Sequence, residues 1–189
     1  MVVGLRNPGR KYDCTRHNVG GEVVDILADR WSAPLKSGPP RVGAEVATQV
    51  TGDGRVVLLK PYAYMNESGR AVVGALRYFK AGLEQLLVVH DDIDLPFARL
   101  RLHRGRGAGG HNGIRSIVQA TGSKEFWRLK VGVGRPPGRT DPADFVLRPF
   151  TGEERDEVDF LVRDAADVVE RFLSDQEAAV EMASRRRPA

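Results

Sequence analysis

Leu86-Leu87-Val88-Val89-His90-Asp91-Asp92-Ile93-Asp94-Leu95-Pro96 is the stretch that decides the fold. Four apolar residues in a row, two of them β-branched, read as a strand buried on both faces, the habit of a parallel sheet covered by helices. The run stops at a histidine and a set of acids, and Pro96 closes it. Sheets of this kind bind ligands beyond the carboxyl ends of their strands. The polar end of this strand is therefore a place to look for chemistry.

Working outward, Met1–Leu5 is a short apolar strand that runs into the turn residues Asn7-Pro8-Gly9. Val19, Val23, Ile26, Leu27 and Trp31 share one face of a helix, and Val72, Ala75, Leu76 and Phe79 do the same within Ser68–Lys80. Pro34–Pro40 reads as a loop. Ala44–Val50 and Val56–Leu59, joined by Gly52-Asp53-Gly54, have the signature of a hairpin. Ala98, Leu100 and Leu102 alternate with Arg99, Arg101 and His103, giving a half-exposed strand with a basic outer face. A glycine-rich loop, Gly105 to Gly113, leads to a helix over Ile114–Ala120, a strand over Arg128–Val133 and a Pro/Gly/Arg loop, Arg135–Arg139. Gly152–Leu173 is the clearest helix, with a shorter one over Gln176–Ala183. No repeat or low-complexity linker divides the chain. The pattern predicts a single α/β domain over residues 1–183, a mixed, mostly parallel twisted sheet with helices on both faces, then a basic flexible tail over 184–189.

The 189 residues include 29 Lys+Arg and 25 Asp+Glu, and 41% are hydrophobic. That is too apolar for disorder and long enough for one sizeable core. No apolar run approaches the ~18 residues of a membrane span, and the opening MVVGL lacks the parts of a signal peptide. The lone Cys14 fits a reducing compartment. A cytoplasmic protein without a membrane partner is the expectation. The charge is divided: residues 1–150 carry a net +9, and 151–181 a net −8. A basic body suits a polyanionic partner, although charges that merely keep a protein soluble would look similar.

Gly105, Gly107 and Gly110 match G-x-G-x-x-G only weakly as a dinucleotide fingerprint, because the preceding strand is exposed and Arg-laden and no acid follows at ribose distance. The better reading is a loop whose bare backbone lets a bulky ligand approach. His90, Asp91, Asp92 and Asp94 resemble part of a metal site, but no second cluster supplies further ligands; Asp92 and Asp94 read as turn and capping residues before Pro96. Neither a metal nor a cofactor is expected. Asn7, Asn66 and Asn112 each sit amid turn chemistry, where a turn or capping role is always open. With His17 and Asp91 they compose a set suited to hydrolysis: a base near neutrality, a carboxylate to fix its tautomer, and amides to meet an oxyanion or a peptide group. No G-x-S-x-G elbow supplies a nucleophile, and water takes that role.

These residues lie in six motifs that together resemble bacterial peptidyl-tRNA hydrolase over roughly residues 1 to 180. They are Gly4-Leu5-x-Asn7-Pro8-Gly9; Tyr12-x-x-Thr15-Arg16-His17-Asn18-Val19-Gly20; Lys60-Pro61 leading to Tyr64-Met65-Asn66 and Ser68-Gly69; His90-Asp91-x-x-Asp94-Leu95-Pro96; Gly109-Gly110-His111-Asn112-Gly113; and Gly132-x-Gly134-Arg135-Pro136. The resemblance implies a monomeric, metal-free cytoplasmic esterase that frees tRNA from peptidyl-tRNA, gripping the acceptor stem and CCA end. On that analogy His17 activates water, Asp91 orients His17, Asn7 recognises the peptide backbone, and Asn66 and Asn112 position substrate and water. Tyr12, Tyr64 and Met65 shape the cleft and His111 supports the acceptor end. Arg99, Arg101, Arg104, Arg106 and Arg115 meet phosphates. Several positions depart from the family: Arg6 and Arg106 replace glycines, Gly21 stands where an aromatic is usual, His103 where Lys is common, and Ala63 and Glu67 replace Thr and Leu. The two arginines would either grip phosphate or fill the path of the peptide. A silent RNA-binding module of the same fold is the alternative.

Overall fold

The protein is described by a computed structural model covering residues 1–52 and 54–188. Strands and helices alternate: β1 (Val2–Gly4), α1 (Val19–Arg30), β2 (Lys36–Ser37), β3 (Ala44–Thr51), β4 (Gly54–Pro61), α2 (Ser68–Phe79) and β5 (Leu87–Asp92). Then follow β6 (Leu100–Arg104), α3 (Asn112–Thr121), β7 (Trp127–Gly132), α4 (Pro142–Val146), α5 (Gly152–Ser174) and α6 (Gln176–Arg185). The strands form one sheet in the order β2-β3-β4-β1-β5-β7-β6. Its four inner strands, β4, β1, β5 and β7, run parallel. The hairpin β3–β4, the short β2 and the edge strand β6 add antiparallel pairings.

Alternation along β5 explains the two cores. Leu87 and Val89 face one side with Val23, Leu27, Leu161 and Val169, so α1 and α5 cover that face. Val88 faces the other side with Val72, Ala75, Ile114 and Ile117 of α2 and α3. α5 starts where a threonine and a glutamate satisfy each other's first-turn donors: Thr151 accepts from the Glu154 N–H, and Glu154 accepts from the Thr151 N–H at 2.7 Å. Among the described residues no helix is long and apolar enough to cross a membrane.

Three local expectations are corrected. The segment Pro34–Pro40 is not all loop, since Lys36 and Ser37 pair with Val46 and Glu45 of β3. The basic strand starts at Leu100 instead of Ala98, because Ala98 is left-handed at φ 62° and cannot continue a strand. α4 was not foreseen, although Asp141 before Pro142 carries its signal: the aspartate accepts the Ala143 N–H at 2.8 Å, and proline opens the first turn. In the hairpin turn Gly52-Asp53-Gly54, Asp53 lies outside the described residues.

The flexible tail expected from residue 184 is also corrected as far as Arg186. α6 runs on to Arg185, and the Arg186 side chain, only 6% exposed, meets Glu157 at 2.5 Å and Asp164 at 2.9 Å. It also donates to the Ala98 carbonyl, while Arg99 donates to the Arg186 carbonyl at 2.9 Å. A run of arginines looks like a solvated tail in sequence; the acids of α5 make one of them an anchor. Arg186→Ala strips a guanidinium from two carboxylates and a carbonyl, and should cost about 2–3 kcal/mol. Thermal unfolding checks this, and an unchanged Tm would contradict the anchoring.

Candidate active site

The site is seated by an unusually close helix–sheet contact. A Cβ on Gly4 would lie 2.3 Å from the Gly20 carbonyl oxygen, and one on Gly20 would lie 2.2 Å from that of Val89. Only glycine at both positions lets α1 rest on β1 and β5 backbone to backbone. The turn that precedes α1, a 3₁₀ turn over Arg16–Asn18, is thereby delivered to the carboxyl end of β5.

There His17 Nδ1 lies 2.8 Å from Asp91 Oδ1, and His111 Nε2 lies 2.9 Å from the same oxygen. All three side chains are buried. The other nitrogen of His111, Nδ1, accepts the backbone N–H groups of Gly113 and Ile114 at 3.1 and 3.3 Å, capping α3. A nitrogen that accepts cannot carry a proton, so His111 is a neutral imidazole donating through Nε2. Asp91 Oδ1 receives two N–H bonds, and His17, donating through Nδ1, keeps its Nε2 lone pair for another partner. Burial alone would push the Asp91 carboxyl up; the hydrogen bonds it accepts from the adjoining His17 and His111 outweigh it and hold the group well below the usual carboxylate range. His90 packs edge-on against His111 at 4.7 Å and donates Nδ1 to the Asp91 carbonyl at 2.6 Å. Its burial keeps it neutral well below ordinary histidine pH.

Asn7 is held just as firmly. Its backbone exchanges two bonds with the Asn18 carboxamide, at 2.8 and 2.9 Å, and its own Oδ1 accepts the Met65 N–H at 2.8 Å. A backbone N–H demands an oxygen, so the Asn7 amide must present its NH₂ as the free end. Arg115 imposes the same orientation on Asn112, donating to its Oδ1 at 3.3 Å. A cavity of about 360 Å³ opens beside these groups, lined among others by His17, Asp91, His111, Asn112, Pro142 and Val146. Tyr12 and Tyr64 meet edge to face at 6.3 Å, with Lys11 over Tyr12 at 4.8 Å.

Sequence and structure diverge at some positions. Asn66 is exposed on the 3₁₀ turn Met65–Glu67, and its amide makes no hydrogen bond among the described residues. His111, expected to support the acceptor end, is committed to Asp91 and the α3 cap. Arg99 is spent on the C-terminal anchor. Arg101, Arg104 and Arg106 are exposed as expected. Arg101 stands opposite Lys130 and His103 opposite Arg128, but Lys130 is paired with Asp92 and Arg128 is buried, so the exposed basic face is confined to β6 and the loop after it. Lys130 and Arg128 were missed because each follows an apolar neighbour in an ordinary strand pattern. Asn18 was missed because it reads as the end of a motif, yet it is what aligns Asn7.

Arg6 neither reaches into the cavity nor stands free. It pairs with Glu45 at 2.9 Å, and its stem fills the space above Gly21, where a Cβ would meet Arg6 Cβ at 3.3 Å. Arg106 sits at φ 74°, a left-handed position that favours glycine. Its carbonyl and that of Gly107 are gripped by the buried Arg128 at 2.9 and 2.6 Å.

The dinucleotide reading fails on geometry: β6 is an antiparallel edge strand, and the first α3 amides are already capped by His111. The metal reading from His90, Asp92 and Asp94 fails too, since Asp92 is bound by Lys130 at 2.5 Å and Asp94 by Arg135 at 2.5 Å. Among the described residues, the one grouping with metal-like spacing is His17, Asp91 and His111. Its His111 nitrogen bears a proton, however, and both rings point N–H bonds at one oxygen, so the donor set does not fit a cation.

A family model described as peptidyl-tRNA hydrolase matches residues 1–188. A peptidyl-tRNA hydrolase from Kineococcus radiotolerans is 51% identical over 180 residues, covering 92% of this chain and 90% of its own. One from Mycobacterium tuberculosis is 50% identical over 173 residues, with the same coverage of 92% and 90%. The crystal structure of peptidyl-tRNA hydrolase from Acinetobacter baumannii superposes with a TM-score of 0.92 at 33% identity, covering 100% of this chain and 95% of that one.

The buried His90 ties stability to pH. Its folded pKa lies below its unfolded value of ~6.5, so the unfolded chain binds the extra proton and stability falls as pH drops below that value. Asp91 acts lower down: its contribution is complete above its unfolded pKa of ~4, and is lost as pH falls toward its depressed native value. His90→Gln should flatten the dependence of Tm on pH between about 6.5 and 4.5 and leave the steeper loss below. Parallel Tm profiles for variant and wild type would contradict this.

Proposed function

The chain belongs to the peptidyl-tRNA hydrolase family, and from that premise we propose that His17, positioned by Asp91, activates water to cleave the ester between a peptide and the 3′ end of tRNA. The observation that carries the reading is the 2.8 Å bond from His17 Nδ1 to Asp91, beside a cavity that His17 itself lines. Water held at Nε2 attacks the ester carbonyl and gives its proton to His17. Asp91, ionised and already accepting the Nδ1 proton, stabilises the imidazolium. The carbonyl oxygen gains charge, and the outward NH₂ of Asn112 is the donor suited to meet it. Collapse breaks the acyl–oxygen bond, and the departing 3′ oxygen takes the proton from His17. The products are a free peptide carboxylate and tRNA.

Asn7 supplies the discrimination between blocked and free aminoacyl groups. With its oxygen taken by Met65, it offers only donors, which pair with the acyl carbonyl of a peptidyl group and face a free α-ammonium unfavourably. Asn66 and Tyr64, exposed on either side of the buried Met65, guide the substrate, and Tyr12 packs against it. The exposed Arg101, Arg104, Arg106 and Arg115 grip phosphates of the acceptor stem and CCA end without reading sequence, as acceptance of all tRNAs requires. The protein works as a monomer in the cytoplasm, where the exposed thiol of Cys14 stays reduced. A silent RNA-binding module is not favoured, because the relatives at about half identity are named as hydrolases.

Purified protein should release peptide from N-blocked aminoacyl-tRNA with EDTA present. His17→Ala should lower kcat by on the order of 10³-fold, and Asp91→Asn by on the order of 10²–10⁴-fold through the wrong tautomer. Activity that survives His17→Ala would sink the assignment. Arg106→Gly should raise stability by about 1 kcal/mol by relieving the left-handed strain. It should also weaken tRNA binding and flatten the slope of log K against log salt by about one contact. Tighter binding or faster turnover would mean that Arg106 obstructs the cleft.

A further inference from the structure

Three consecutive residues of the 3₁₀ turn serve three different walls of the site. Such a turn has three residues per revolution, so neighbouring side chains leave it about 120° apart. His17 goes to Asp91 on β5 and Asn18 to Asn7 after β1. Arg16 goes the third way, into the junction between α4 and α5. Its side chain is 5% exposed. Nη1 donates to the carbonyls of Arg148 and Pro149 at 3.2 and 2.7 Å, and Nη2 meets Glu154 at 2.6 Å. The guanidinium carbon lies 4.2 Å from the Phe145 ring centre and 5.0 Å from that of Phe150. The backbones join as well: the Arg16 N–H donates to the Arg148 carbonyl and the Phe150 N–H to the Cys14 carbonyl.

α4, which packs beside the turn, carries Pro142, Ala143 and Val146 to the wall of the cavity. We propose that Arg16 is a positioning residue, whose planar guanidinium locks the α4 wall to the turn bearing His17 so that wall and base keep one relative position. The inference rests on the hydrolase reading. Nothing in the chemistry of ester cleavage requires a buried arginine next to the base. Burying a guanidinium is costly unless its donors are met, and here, although Nε has no partner among the described residues, both terminal nitrogens are met by the Arg148 and Pro149 carbonyls that follow α4 and by Glu154 of α5. Lysine could satisfy one of these acceptors as a point charge, but it could neither fork between carbonyls and carboxylate nor lie flat against two rings.

The test is Arg16→Lys, assayed for kcat and KM on an N-blocked aminoacyl-tRNA beside thermal unfolding. The expected result is a kcat lowered about 10-fold, as a base displaced by a fraction of an ångström implies, with KM within about 3-fold and the variant still folded at assay temperature. Addition of guanidinium ion at low millimolar concentration to Arg16→Ala should restore part of the lost kcat. A lowered Tm with unchanged kcat would overturn the proposal and leave Arg16 purely structural. If both Arg16 variants fail to fold, Glu154→Gln decides: glutamine keeps the helix cap but not the charge, so kcat should fall about 2–5-fold, and an unchanged kcat overturns the proposal. If the wild type cleaves nothing, the hydrolase reading falls. The coupling is then judged by the NMR signals of the His17 ring, which Glu154→Gln must shift and which, if unmoved, refute it.

Discussion

One carboxylate oxygen organises the centre of this protein. Asp91 Oδ1 accepts from two imidazoles that arrive on different elements, His17 ahead of α1 and His111 at the start of α3. A buried anion of this kind survives only when its lone pairs are filled, and filling them fixes more than the anion. His111 donates to it through Nε2, and it is held in that tautomer by the two backbone amides its Nδ1 accepts. The N-terminus of α3, the end of β5 and the turn before α1 therefore meet at one atom. The Nε2 of His17 is left without a partner among the described residues, and His17 borders the cavity. Fixing Nδ1 of His17 on the aspartate in this way leaves its Nε2 as the ring nitrogen open to a further partner.

The network closes only because the backbones come so near. Gly4 and Gly20 let α1 lie against β1 and β5 without intervening side chains. Any larger residue would lift the helix and carry His17 away from Asp91. The contact between His17 and Asp91 is thus set by the absence of side chains at Gly4 and Gly20, as much as by the histidine and the aspartate. The same economy appears at Asn7, where Asn18 takes both backbone groups and Met65 takes the side-chain oxygen. A hydrogen bond to each of its other groups leaves the amide one way to face.

Sequence reasoning reached the elements that carry strong local signals. The apolar run of β5, the amphipathic stripes of α1, α2 and α5 and the glycine-rich turn before α3 all follow from residue order. The motifs that carry the family resemblance also drew attention to His17 and Asp91, which the structure brings within 2.8 Å of each other. What stayed hidden was partnership across long separations. Arg186 looked like tail because Glu157 and Asp164, its partners, looked like an ordinary solvated helix face. His111 looked like a ligand contact because sequence does not reveal which of two ring nitrogens caps a helix and which meets an acid. Arg128 looked like a strand residue, and the loop carbonyls it holds lie 21 and 22 positions away.

Arg6 shows how one such partnership changes a functional reading. Beside Asn7, a bare guanidinium would either clamp phosphate or crowd the peptide, and residue order leaves both open. In the structure it does neither, because Glu45 on β3 takes its terminal nitrogen and Gly21 yields the space its stem needs. Glu45 also lies 3.7 Å from Lys60, which meets Asp25 of α1 at 2.5 Å. The arginine so joins a chain of alternating charges that runs from the loop after β1 across two strands and back to α1, the helix that follows His17. Glycine inside a helix costs about 1 kcal/mol relative to alanine, and a free guanidinium beside the cleft would disturb the substrate. The two departures offset each other: the small residue at 21 makes room for the long one at 6, and the carboxylate at 45 turns it away from the chemistry.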